Sequence, residues 1–210
     1  MLGTLAIHSR RIIGEVSVTE SNFLGRGQFV RAAEVAGGLS VIARLTATTG
    51  ASGVTVSVFP DRAQAVTLPT TVVFAVGESA KSIVINTKPQ LQPLIVEIIA
   101  ADIRTPTLRK IAKFTIRPPR VRSMVLASTS VVAGQPVTGT LTLDGPAPDG
   151  FTVRLASNSA AVPTPAPIAV QAGATVVSFT LPTAATTANV IVTLTATAAG
   201  VFFFNDTATT

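Results

Sequence analysis

The chain of 210 residues has no cysteine, no tryptophan and no tyrosine, and one histidine, His8. Without thiols there is no cysteine nucleophile, no thiolate-held metal and no disulfide to staple a small core. Zero cysteine fits a secreted or a cytosolic chain, so the compartment stays open. Without Trp or Tyr, the flat ring faces on which sugars usually stack are missing. The lone His8 sits at the N-terminal margin, where an exposed or edge-strand imidazole is its ordinary reading, and a Ser-His-Asp arrangement inside an intact domain is excluded. Charge is scarce as well, at 12% of residues against 47% hydrophobic. That balance excludes disorder, which needs low hydrophobicity and high net charge. Long apolar runs are missing too, and none approaches the ~20 residues of a spanning helix. The positive mean hydropathy, +0.54, therefore reflects Ala, Val and Thr in buried strands.

What is present is alternation. From Val137, the residues Val137, Gly139, Leu141 and Leu143 alternate with Thr138, Thr140 and Thr142. A period of two is the pattern of a strand with one buried face. The turn Asp144 to Gly150 holds two prolines and two glycines and cannot continue a ladder. Phe151, Val153 and Leu155 form the next inward set, then Ile168 and Val170. Thr175, Val177, Phe179 and Leu181 follow, then Val190, Val192, Leu194 and Ala196. Thr and Val favour such pleated, half-buried surfaces because branching at Cβ stiffens χ1. Pro or Gly interrupts nearly every window long enough for a helix. Strands at a spacing of roughly 8–14 residues predict an all-β sandwich.

The pattern occurs twice. Moved back 96 positions, Gly173 falls on Gly77 and Val137 to Leu141 on Val41 to Leu45. Phe179 and Leu181 fall on Ile83 and Ile85, and Val190, Val192, Leu194 and Ala196 on Leu94, Val96, Ile98 and Ala100. A slip of one residue is expected at the turn near Gly53 and Gly150, where length change is tolerated. The first copy closes with a strand carrying Phe114 and Ile116 inward, ended by Pro118 and Pro119. These prolines make a stiff linker. The expected organisation is a sandwich over 23–119 and a second over 120–200 that lacks its last strand. Residues 1–22 resemble the last strands of a preceding copy, with Val16 and Val18 placed as Phe114 and Ile116 are. Arg10 and Arg11 follow a weak apolar run, the wrong order for a secretory signal, so a signal is expected upstream if the protein is exported. Phe202 to Thr210 lacks the alternation and resembles a translated sequencing-adapter read-through, so 201–210 is expected to be non-native.

The formal charge is +6, and only Arg154 of the 16 Lys and Arg residues lies beyond Arg122. Arg104, Arg109, Lys110, Lys113, Arg117, Arg120 and Arg122 crowd one span. Arg109, Lys113 and Arg117 share a parity opposite to Phe114 and Ile116, which reads as a solvated outer strand face. The sharper reading is a contact strip for an anionic polymer. Aromatic interleaving is nearly missing, so nucleic acid is not the expected partner. The ten acids lie mostly in turns. Asp144 and Asp149 flank one turn and carry the oxygens a hard cation takes, yet Asp across a Pro-rich turn is an ordinary turn former. Asp61 and Asp102 read the same way. No pair is placed for glycoside hydrolysis. Gly25, Gly27, Gly37 and Gly38 precede no helix that could cradle a phosphate. No catalytic residue, cofactor or metal site is expected.

Four segments carry a family resemblance: Gly134 to Leu143, Ala147 to Asn158, Val170 to Thr183 and Val192 to Gly200. They are similar to the immunoglobulin-like repeats of large bacterial secreted and cell-surface proteins. The second copy matches more closely, and the first lacks the Pro-rich turn and has a more basic last strand. The resemblance implies tandem β-sandwiches that act as stalks, spacers or adhesion modules outside the cell. Neighbouring repeats would be the partners, with a surface polysaccharide or protein as a further ligand. It supplies no catalytic residue. The Cys pair, core Trp and corner Tyr of antibody domains are missing, so the likeness is one of architecture.

Overall fold

The computed structural model describes residues 12–20, 34–48, 53–199 and 208–209. Every regular element among them is a strand. The chain divides into two units, Met1–Lys88 with Pro93–Arg117, and Pro89–Gln92 with Pro118–Thr210.

The first unit contains β1 (Ile12–Glu20), β2 (Glu34–Ala36), β3 (Ser40–Thr48), β4 (Val54–Pro60), β5 (Val66–Thr67), β6 (Thr71–Phe74), β7 (Ala80–Thr87), β8 (Leu94–Asp102) and β9 (Thr105–Arg117). One sheet has the order β1-β3-β7-β5, the other β2-β9-β8-β4-β6. Alternation decides what each strand buries. Val41, Ala43, Leu45 and Ala47 of β3 point inward, as do Ile83 and Ile85 of β7. From the other sheet come Val56, Val58, Val96, Ile98, Phe114 and Ile116, and all of these join one apolar cluster. Phe114 is 1% exposed and Ile116 is wholly buried. Each side chain so buried contributes about 1.5–3 kcal/mol of transfer free energy. β2 runs parallel to β9, Val35 opposite Ile116, and covers the open end of that core.

The second unit contains β10 (Val121–Leu126), β11 (Val137–Leu143), β12 (Thr152–Ser157), β13 (Ile168–Ala169), β14 (Val176–Leu181), β15 (Leu194–Ala199) and β16 (Ala208–Thr209). Its sheets are β10-β11-β14 and β13-β12-β15-β16. Leu141, Phe151, Leu155 and Leu181 are its largest fully buried side chains, again one cluster fed by both sheets.

Pairing registers in the two units match at fixed offsets. Ala43 faces Ile83, and 96 positions later Gly139 faces Phe179. Val58 faces Ala100 and Leu155 faces Ala196, so β12 lies 97 positions after β4 while β15 lies 96 after β8. The difference of one falls at the turn that the sequence assigns to the slip. Hydrogen bonds recur in the same way. Thr87 Oγ1 accepts the Gly38 amide at 3.0 Å and donates to the Leu39 carbonyl at 2.6 Å. Thr183 Oγ1 accepts the Gly134 amide at 2.9 Å and donates to the Gln135 carbonyl at 2.8 Å. Gly38 and Gly134 have φ of 87° and 83°, a backbone region that suits glycine.

Three expectations meet a different arrangement. Residues 12–20 were expected to belong with a preceding repeat. They pair with β3 of this unit, Val16 opposite Leu45. β10 pairs with β11 in the same register, Met124 opposite Leu141, and both pairs carry an irregularity at the same place, opposite Thr46–Ala47 and Thr142–Leu143. Alternating apolar strands look alike in sequence, and only the pairing partner tells a first strand from a last one. Residues 1–11 and 21–22 lie outside the described residues. The second difference is at Val190. A strand was expected from there, yet β15 begins at Leu194 and Val190 is 48% exposed. Third, the second unit was expected to lack a closing strand, but β16 pairs with β15 in the place that β9 takes on β8, Thr209 opposite Thr195. Residues 200–207 lie outside the described residues.

Candidate functional site

Arg109, Lys113 and Arg117, the expected polymer contacts, all lie on β9. Phe114 and Ile116 take the inward positions, which turns Arg109, Ile111, Lys113, Thr115 and Arg117 outward. Neighbours in the basic row stand four residues apart, about 13 Å along a strand. Arg109 and Lys113 are exposed, and Arg117 is half-buried.

The row is not an open line of cations. Glu97 of β8 lies directly across from Lys113, and the Lys113 Nζ reaches its Oε1 at 2.5 Å. This hydrogen bond, with the charge of Glu97 and more remotely of Asp61, holds the Lys113 ammonium above the ordinary lysine range. The structure therefore leaves Arg109 as the exposed cation at one end and an ion pair at the middle. A feature that the sequence reading passed over lies beside them. Phe59, Ile99 and Ile111 stand opposite one another across β4, β8 and β9 on the same outer face. Phe59 is 44% and Ile111 45% exposed. The signal was present as apolar residues at outward parity.

The turn acids serve the backbone. Asp61 Oδ1 accepts the Glu97 amide at 2.8 Å and Asp102 Oδ1 the Arg104 amide at 2.8 Å. Asp144 Oδ1 accepts the Arg120 amide at 2.8 Å. Asp144 and Asp149 are not joined by a third ligand: no group of three His, Cys, Asp or Glu that could hold a metal occurs among the described residues. His8 lies outside them.

A groove of about 410 Å³ opens in the second unit. Val131, Val137, Val162, Val190, Val192 and Leu194 give it an apolar floor, and Ser128, Thr183, Thr186 and Asn189 stand at its margin. Its described lining has no Asp, Glu, His, Lys or Arg. Such walls can bury apolar groups and hydrogen-bond a backbone, but they cannot move a proton at neutral pH.

No family model and no curated protein matches the chain. Among solved structures it shows a likeness to the secreted serine protease VesC from Vibrio cholerae, at 14% identity and a TM-score of 0.26. The match covers 79% of this chain and 44% of the protease, less than half of its length. A likeness that low carries no argument about function. No helix among the described residues is long and apolar enough to cross a membrane.

Proposed function

We propose that this chain is a non-catalytic structural or spacer region of a bacterial extracellular or cell-surface protein, built from tandem immunoglobulin-like sandwiches. The supporting observation is the pair of threonine latches, Thr87 with Gly38 and Leu39, and Thr183 with Gly134 and Gln135, at an offset of 96. One local design used twice, with the turn acids Asp61, Asp102 and Asp144 spent on backbone amides, fits a chain whose task is to hold a shape. Solid-phase retention tests the reading. The purified chain should bind glycan and anionic-polymer arrays no better than an unrelated sandwich domain does.

A second reading, an adhesion or ligand-binding module serving an enzyme elsewhere in the parent protein, has its own observation. The row Phe59, Ile99 and Ile111, exposed at Phe59 and Ile111 and half-buried at Ile99, lies beside Arg109 and Lys113 and joins apolar area to cationic charge on one sheet face. Saturable retention that disappears when Arg109, Lys113 and Arg117 are all changed to Ser would favour this reading over the spacer.

A further inference from the structure

The stretch between β12 and β13 is built differently from its counterpart in the first unit. Moved back 96 positions, Val162 to Ile168 fall on Val66 to Val72. In the first unit Val66 and Thr67 form β5, paired with Thr87 and Asn86 of β7, and Thr71 opens β6 opposite Ser57 of β4. The second unit has proline in both places, Pro163 for Thr67 and Pro167 for Thr71. Proline has no amide to give a ladder. No counterpart of β5 occurs among the described residues, and β13 holds only Ile168 and Ala169. The shared fold therefore does not call for these prolines, and they displace strand pairs that it makes without them.

Pro163, Pro165 and Pro167 each fix φ at about −65°, and the ring that follows holds Val162, Thr164 and Ala166 to extended values. A chain so restricted is a polyproline II helix, which repeats every three residues and makes no internal hydrogen bonds. Burial has that period. Val162 is 7% exposed and Pro165 and Ile168 are half-buried, with Val162 and Ile168 packed in the core of the unit. The residues between them, Pro163 with Thr164 and Ala166 with Pro167, are exposed. Among the described residues no hydrogen bond engages Pro163 to Pro167. One side of the helix is thus seated on the sandwich, and the other two face outward.

We propose that Pro163–Pro167 is a docking ridge for an aromatic-lined groove on a partner protein. Its two exposed pairs, Pro163 with Thr164 and Ala166 with Pro167, stand about 9 Å apart, three residues at about 3.1 Å each. Two neighbouring slots between aromatic rings would each take one pair, and Trp or Tyr donors would bond the ridge carbonyls. Because the ridge is preformed, little ordering entropy is lost on docking. The chain has no Trp and no Tyr, so a second copy cannot line such a groove and the partner is a different protein. The ridge rests on the comparison of the two units and on neither reading above.

Titration of the full chain into isolated SH3, WW and EVH1 domains, whose grooves read polyproline segments, tests the ridge. The chain has no Trp, so tryptophan fluorescence in the mixture reports the domain alone. At least one domain should show a saturable change at micromolar to submillimolar chain. Pro163→Thr with Pro167→Thr, the residues of the first unit, should weaken that binding about tenfold or more. Ala166→Asp, at an exposed position and with folding checked by urea denaturation, should do the same. No saturable change with any of the three domains, or undiminished binding by these variants, would overturn the proposal. So would a double proline variant that dimerises while keeping its affinity for the domain, since the prolines would then only keep a sheet edge from pairing. Array retention, which decides the spacer reading, is unaffected by any of these outcomes.

Discussion

The ring of Phe179 lies against the α-carbon of Gly139, its cross-strand partner on β11. A β-carbon built on Gly139 would stand 2.9 Å from Cε1 and 3.0 Å from Cε2 of that ring. At the same place in the first unit, Ala43 faces Ile83. The large partner takes the glycine and the smaller one the alanine, so the pair conserves space. Gly139→Ala should therefore destabilise the second unit by about 1–3 kcal/mol, the usual cost of overfilling a core. Adding Phe179→Ile should recover most of the loss, giving a favourable coupling of about 0.5–3 kcal/mol in a double-mutant cycle. Urea denaturation of the four chains measures it. Strictly additive effects would mean that the two positions do not share the space.

The two threonine latches differ in burial, and their substitutions should differ accordingly. Thr87 is 6% exposed, and Thr87→Val removes the acceptor of the Gly38 amide and one of two donors to the Leu39 carbonyl, which keeps the Thr87 amide at 3.1 Å. The expected cost is about 1–2 kcal/mol, that of two hydrogen bonds lost at a buried side chain. Thr183→Val should cost less than about 1 kcal/mol, because solvent reaches that end and replaces the lost bonds. Chemical denaturation of the two variants reads both effects.

Asp61 and Asn158 occupy the same position relative to the closing edge, each accepting an amide through Oδ1 at 2.8 Å. The acceptor oxygen is shared and the charge is not. Asp61→Asn should therefore be tolerated, and Asp61→Ala should lose about 1 kcal/mol with the hydrogen bond. A thermal shift of similar size in both variants would show that the charge, through Arg62 at 3.5 Å, matters more than the acceptor.

Two exposed groups set weak pH limits on the first unit. The Ala75 amide, donating to Glu78 Oε2 at 2.9 Å, holds that carboxyl below its ordinary range, and Lys81 adds to the effect. Its contribution is complete above the unfolded value of about 4.3 and is lost as pH falls through the lower folded value. Lys113, raised by Glu97, behaves in the opposite sense. Its contribution is complete below the unfolded value of about 10.4 and is lost as pH rises through the higher folded value. Urea midpoints of the native chain should converge with those of Glu78→Gln in acid and of Lys113→Met in alkali. Added salt should shrink both differences at neutral pH, as it screens exposed pairs.

Much of the fold was legible because a strand with one buried face writes itself into every second residue. β11 was expected at Val137–Leu143 and occupies those residues, and Phe114 and Ile116 point inward as their parity requires. The candidate row was legible for the same reason, since Arg109, Lys113 and Arg117 had to share the outer face. Its electrostatics were not, because Glu97 meets Lys113 only across a strand pair 16 positions apart in sequence.

The sequence by itself determined the all-β class and which side of each strand meets the core, because local alternation encodes both. Only the tertiary structure decided which strand lies beside which. It joined β1 to β3 and set Glu97 across from Lys113. Pairing is a property of two distant segments and their main-chain hydrogen bonds, which are the same for every residue but proline, so no local pattern can record it.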